Sequence, residues 1–333
     1  MRIGFLGVGR IGTSHAAVVA AHPAVGSLVL GDMDQARADE AAATLGVESA
    51  TGVDGVLSSG IDALVIASGT GSHAELITAG AEAGIPVFCE KPVALSLAET
   101  RAVREAVERA GVQVQIGFQR RFDAGYAAAR AAVADGSIGE LRRVHAVTAD
   151  PAPPHASYIP TSGGIYRDCL IHDFDILRWV SGREVVDVIA WGANRGAAFF
   201  AEAGDVDETA CLLTLDDGTL VTVQGSRYNG GGYDVRMELA GTRGTLAVGL
   251  DDHAALLSAE PGTTFPDGGA HPSFWERFTP AYRAEMNAFI DVAAGRSTSP
   301  CTVDEALEAL LVAEAATLSR VEGRRVTIDE VRR

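Results

Sequence analysis

Short apolar runs at residues 2–7, 27–31, 63–67, 86–89 and 113–116 alternate with alanine-rich stretches of helical spacing at 14–21, 35–45, 73–83 and 97–110. Apolar runs that do not alternate with polar residues, each separated by a helix, predict parallel strands buried on both faces. The first third is therefore expected to be a doubly wound α/β sheet. After Phe118 the period changes. One helical stretch, 124–134, is followed by alternating runs at 142–148, 185–191, 209–215, 219–226, 234–240 and 244–248, with Asp216-Asp217-Gly218 as a hairpin turn. These predict a mostly antiparallel sheet in an α+β domain. Residues 151–160 read as a proline-rich loop and 259–273 as irregular chain, while 280–294 and 303–322 return to helical spacing. The pattern divides the chain into domains 1–118 and 119–333, which leaves a cleft for a ligand.

Composition narrows the partners. With 47% hydrophobic and 21% charged residues, the 333-residue chain can build two packed cores. A formal net charge of −17 without a segregated basic patch argues against nucleic acid and against an anionic membrane surface. No apolar run approaches the roughly 20 residues that span a bilayer. The first strand starts within a few residues of Met1, with no signal-peptide pattern. Cys89, Cys169, Cys211 and Cys301 are scattered without CxxC spacing, so neither a zinc site nor a disulfide framework is expected. A reducing cytoplasm is the expected setting.

Gly7-Val8-Gly9-Arg10-Ile11-Gly12 follows the first apolar run and opens a helical stretch, the context in which GxGxxG reads as a dinucleotide-binding Rossmann turn. Gly7 permits the tight turn, Gly9 lets the backbone approach a pyrophosphate, and Gly12 lets helix and strand pack closely. Amide groups at that helix start then face the phosphates. Asp32 ends the second run about 20 residues further on, where a carboxylate accepts from both ribose hydroxyls and repels a 2′-phosphate, so NAD is the expected cofactor. Arg37 one turn later reads either as an exposed helical arginine or as a group accommodating NADP; Asp34 reads as a helix N-cap.

Glu90-Lys91-Pro92 sits just past the run at 86–89, at the carboxyl edge of the sheet where open α/β folds bind ligands. A lysine there is either a solvated surface residue or a donor to a substrate hydroxyl. Asp168 and His172 lie four apart before the apolar stretch 176–180. On a helix they share a face, so the carboxylate orients the imidazole and stabilises its protonated form. Oxidising an alcohol requires removal of the hydroxyl proton as hydride leaves carbon, and histidine suits that exchange near neutral pH. His172 is therefore the candidate base. The competing readings are a structural histidine at a capped helix start and a metal site of Asp168, His172, Asp173 and Asp175. The lack of soft ligands and of a second histidine disfavours the metal, and none is expected.

These motifs, with residues 67–73, 117–123 and 168–175, together resemble the Gfo/Idh/MocA oxidoreductases and, within them, the inositol 2-dehydrogenase branch, over nearly the whole chain. The resemblance implies a Rossmann domain followed by a domain whose open sheet serves oligomerisation, hence a homodimer or homotetramer. It implies that Lys91, Asp168 and His172 form the catalytic group, oxidising a secondary ring hydroxyl of a cyclitol or sugar. It places Gly7, Gly9, Arg10, Ile11, Gly12, Asp32, Met33, Ser68, Gly69, Thr70, His73, Glu90 and Lys91 at the cofactor; read without the resemblance, His73 is equally a helix-start residue. His155, Tyr158 and Tyr233 join Lys91, Asp168 and His172 at the substrate, the first two from the proline-rich loop; the alternative reading of these three is that they pack the cleft wall. Ser68-Gly69-Thr70 departs from the commoner Thr-Pro-Thr or Thr-Pro-Asn, and residues 229–232 are unusually glycine-rich. The same family contains glycosidases that retain NAD and non-catalytic NAD-responsive regulators, the two alternative readings.

Overall fold

The computed structural model describes every residue except Asp267, which lies within the stretch expected to be irregular. Its contacts group the chain into two units, one of Met1–Gln119 with Pro280–Leu307, the other of Arg120–Thr279 with Glu308–Arg333. The change of pattern near residue 118 falls beside the division at Gln119. Pro280–Leu307, expected with the second domain, groups with the first unit: Met286, Phe289, Ile290 and Val292 are buried in one cluster with Ile3, Phe5, Leu30 and Val65. Sequence adjacency had hidden this, because a returning helix carries the same apolar period whichever core it fills.

The first unit holds a six-stranded parallel sheet of β1 (Arg2–Leu6), β2 (Ser27–Gly31), β3 (Glu48–Ser49), β4 (Ala63–Ile66), β5 (Val87–Glu90) and β6 (Val114–Gly117). Their order is β3-β2-β1-β4-β5-β6, so the winding reverses between β1 and β4. Leu6 pairs with Ile66 at that seam, and ligands of such sheets bind beyond the carboxyl ends of the strands there. Helix Gln35–Leu45 starts on Asp34, whose side chain accepts from the Arg37 amide, and ends on Gly46 at φ 68°, as its expected cap requires.

The second unit holds β7 (Leu141–Ala149), β8 (Val185–Ala193), β9 (Glu208–Leu215), β10 (Leu220–Ser226), β11 (Asp234–Gly241), β12 (Thr245–Val248) and β13 (Val326–Thr327). They are ordered β12-β11-β7-β10-β9-β8-β13. All neighbours are antiparallel except β7 and β10, which run parallel, so the sheet is mixed. Gly218, at φ 86°, turns the β9–β10 hairpin. Strict alternation of buried and exposed residues along β9 and β10 leaves one face in solvent. Trp191, Leu212 and Leu220 stand on it, exposed by 62%, 44% and 53%.

Candidate active site

In the first unit the expected cofactor turn has the required geometry. Gly7 adopts φ 97°, and a Cβ there would lie 2.5 Å from the Ser68 amide nitrogen, so only glycine fits. A Cβ on Gly12 would stand 1.9 Å from the Gly7 carbonyl oxygen, which fixes the close crossing of β1 and helix Arg10–Ala20. Gly9 is different: a Cβ there meets nothing within 4 Å. It is the N-cap of that helix, with no side-chain cap and no acid in the first turn. The amides of the first turn and the positive end of the helix dipole thus border open space, a cradle suited to a pyrophosphate.

Asp32 lies beside this turn. Its oxygens accept from the amides of Val8 at 2.9 Å and Asp34 at 2.9 Å and from Arg37 Nη2 at 2.7 Å. Burial pulls its pKa upward, but the two amides and Arg37 outweigh this and hold the carboxyl below its ordinary value. Asp32 is an anionic acceptor, as ribose recognition needs, and Arg37 is its partner. Met33 beyond it is fully exposed. The donors and shape present fit a bound NAD.

After β4, Ser68 Oγ lies 2.7 Å from Ser72 Oγ, and Thr70–Ser72 forms a single 3₁₀ turn with Gly69 as its N-cap. His73 then points inward: it is 1% exposed, with Nδ1 2.7 Å from the Pro92 carbonyl and Nε2 3.1 Å from the Ser68 carbonyl. Its ring therefore staples the Lys91-Pro92 segment to the end of β4. Glu90 closes β5, and its carboxylate meets Nε2 of the fully buried His15 at 2.7 Å. The His15, Glu90 and Glu285 ligand atoms all lie within 4.8 Å of one another. Sequence reading missed His15 and Glu285 altogether. Lys91, half-buried, follows Glu90 at the carboxyl edge of the sheet.

In the second unit Asp168 ends helix Ile165–Asp168 and His172 is the second residue of helix Ile171–Ser181. The single helix that would put them on one face is therefore interrupted at Cys169 and Leu170. Both residues are half-buried. Asp168 Oδ1 accepts from the Tyr158 hydroxyl at 2.8 Å and Oδ2 from Arg227 Nη2 at 2.7 Å. Tyr158 is thus joined to the expected catalytic aspartate. Burial first and then Asp168 raise its phenol well above the usual range, so it acts as a donor. His155 is exposed, with Nδ1 2.8 Å from Ser157 Oγ. Tyr233 is buried just before β11.

The metal reading of the 168–175 segment fails on its partners. Asp173 is fully buried and accepts from Arg120 Nη1 at 2.8 Å and from Thr148 Oγ1. Burial opposes both charges and pulls the Asp173 carboxyl upward. The close guanidinium, which cannot give up its proton, favours the ionic pair, and that is the state we assign. Asp175 takes both Arg121 Nε at 2.9 Å and Nη2 at 2.6 Å. Both acids thus tie Arg120 and Arg121 to the helix that carries His172.

Comparison with known proteins agrees with this architecture. Residues 1–118 match the oxidoreductase family model of the NAD-binding Rossmann fold, and 126–247 match the GFO/IDH/MocA C-terminal domain. The myo-inositol dehydrogenase Hyg17 of Streptomyces leeuwenhoekii is 38% identical over 97% of this chain and 98% of its own. A myo-inositol dehydrogenase structure from Corynebacterium glutamicum is 37% identical, with TM-score 0.90 over 98% of each chain. A Lactobacillus casei scyllo-inositol dehydrogenase with bound NAD(H) and scyllo-inositol is 29% identical, with TM-score 0.89 over 99% of each. With both of its domain models matched and relatives aligned end to end, the chain belongs to the Gfo/Idh/MocA family of oxidoreductases.

Proposed function

We propose that the protein is an NAD-dependent dehydrogenase that oxidises a secondary ring hydroxyl of an inositol to the ketone. The observation that carries this is the dinucleotide turn with anionic Asp32 in the first unit; the second unit, taken by itself, holds Asp168 on Tyr158 and Arg227, four residues before His172. Relatives named for myo- and scyllo-inositol support the substrate class. NAD, when bound, supplies the hydride acceptor. Gly9 and the following amides would hold its pyrophosphate, and Asp32 its ribose. His172 accepts the hydroxyl proton, Lys91 donates a hydrogen bond to that oxygen, and Asp168 stabilises the imidazolium as charge develops. In the reverse direction the same groups return the proton. His155, Tyr158 and Tyr233 supply the surrounding polar and aromatic contacts to the polyol.

The solvent face of the mixed sheet, with Trp191, Leu212 and Leu220 exposed, supports a homodimer or homotetramer formed through it. Trp191→Arg should then lower the mass seen by light scattering. The four cysteines are free, which supports a cytoplasmic setting; no described helix is long and apolar enough to cross a membrane. The function is tested by NADH formation from NAD+ with myo-, scyllo- and D-chiro-inositol, glucose, galactose and xylose. Turnover confined to inositols supports the reading, whereas turnover on aldoses alone would replace the substrate class.

A further inference from the structure

Arg227 belongs to no motif of the sequence, yet it organises the acid that the reaction is proposed to use. It is the first residue after β10 and is 3% exposed. Asp150 is the first residue after β7, and the parallel pairing of these strands sets Ser226 opposite Ala149. Both chains therefore leave the sheet at one level. The Asp150 amide bonds the Ser226 carbonyl at 3.0 Å. Arg227 then spreads its guanidinium across two carboxylates, Nη2 to Asp168 at 2.7 Å and Nη1 to Asp150 at 3.2 Å. With the Tyr158 hydroxyl on Oδ1, each Asp168 oxygen has a directed donor.

We infer that Arg227 is a positioning residue, which keeps Asp168 ionised and fixed in orientation for proton transfer at His172. This rests on the roles proposed above for Asp168 and His172. The physical reason is a charge count. Two neighbouring carboxylates in a partly dry site cannot both stay ionised without a cation. Arg227 supplies one that is permanent, and its planar fork fixes both acids where a point charge would not. Burial opposes the guanidinium charge, but the surrounding acidic groups outweigh it and push its pKa further up. One negative charge remains on the trio, and it stabilises an imidazolium formed during turnover.

The test compares the wild type with Arg227→Gln, Arg227→Lys and Arg227→Gln/Asp150→Asn, measuring kcat and KM for inositol with NAD+, NAD+ affinity and thermal melting. Arg227→Gln should lower kcat by at least about tenfold with KM and NAD+ affinity within about threefold. Arg227→Lys should recover part of the loss. Adding Asp150→Asn to Arg227→Gln should raise kcat about fivefold, because it removes the repelling carboxylate. A purely structural arginine predicts instead that the double variant is no better than the single. That result, or wild-type kcat in a folded Arg227→Gln, overturns the inference. Should Arg227→Gln fold poorly, Arg227→Lys decides: a kcat equal to the wild type overturns the inference, and a lowered kcat at unchanged KM upholds it. A wild type inert on every polyol, though it binds NAD+, would instead sink the proposed function and this inference with it.

Discussion

Replacing Gly9 and Gly12 separately by alanine divides what the turn does for the fold from what it does for the cofactor. At Gly12 the new Cβ would sit 1.9 Å from a backbone oxygen. Strand and helix must then part by about an ångström, an overpacking cost of about 3 kcal/mol. For a unit of this size that lowers Tm by roughly 6–12 °C. At Gly9 the Cβ meets nothing within 4 Å, and φ −71° with ψ −168° is open to alanine. The lost freedom of the unfolded chain favours Gly9→Ala by about 0.4–1 kcal/mol. The poorer N-cap disfavours it by about 0.5–1 kcal/mol. These offset, so the fold should be unchanged. The empty space is the cradle itself, so a methyl there should weaken NAD+ by at least about tenfold, or 1.4 kcal/mol. Thermal melting and NAD+ calorimetry on both variants check this. Gly9→Ala that binds NAD+ as the wild type does would remove the pyrophosphate from this turn, whatever Gly12→Ala does.

Asp175→Asn should cost about 3–5 kcal/mol, because it strands the buried guanidinium of Arg121; melting within a degree or two of the wild type would refute that. Asp32→Ser frees Arg37 and removes the charge that repels a 2′-phosphate, so the ratio of kcat/KM for NADP+ over NAD+ should rise by at least about tenfold. The Asp32 carboxyl is held below its ordinary 3.8 in the folded state, so its contribution to stability is complete above that value and is lost as pH falls through the folded one. The stability advantage of the wild type over Asp32→Asn should accordingly shrink only in acid, and shrinkage near neutrality would contradict the assignment. All four thiols are buried. Burial raises Cys89, Cys169 and Cys211, the last to about 12, so a thiol reagent should label the folded protein slowly and the unfolded protein at four sites.

Local pattern carried most of this architecture. The alternation in β9 and β10 and the unbroken apolar runs of β1 and β4 each report burial within a few residues, and their ends were legible to within one or two positions. The parallel seam of β7 and β10 was not legible, since alternation says which face a residue takes and nothing about which strand lies beside it. For the same reason Arg227 was invisible: its partner Asp168 lies 59 residues away, and His15 meets Glu90 across 75. A lone arginine closing an apolar strand was the one available signal. The spacing of Asp168 and His172 suits one helical face, whereas the chain breaks the helix between them. The ring of His73 is engaged by two backbone carbonyls, a role no side-chain pattern encodes.

The central claim is hydride transfer from a ring carbon to NAD+, and an isotope measures it without assuming which carbon reacts. Enzyme would be incubated with NAD+ and myo- or scyllo-inositol deuterated at every ring carbon, and the cofactor analysed by mass spectrometry. The account predicts reduced cofactor carrying a single deuterium, formed by the wild type and lost in both His172→Ala and Lys91→Ala. Reduced cofactor without deuterium, or full transfer by a His172→Ala enzyme at the wild-type rate, would contradict it.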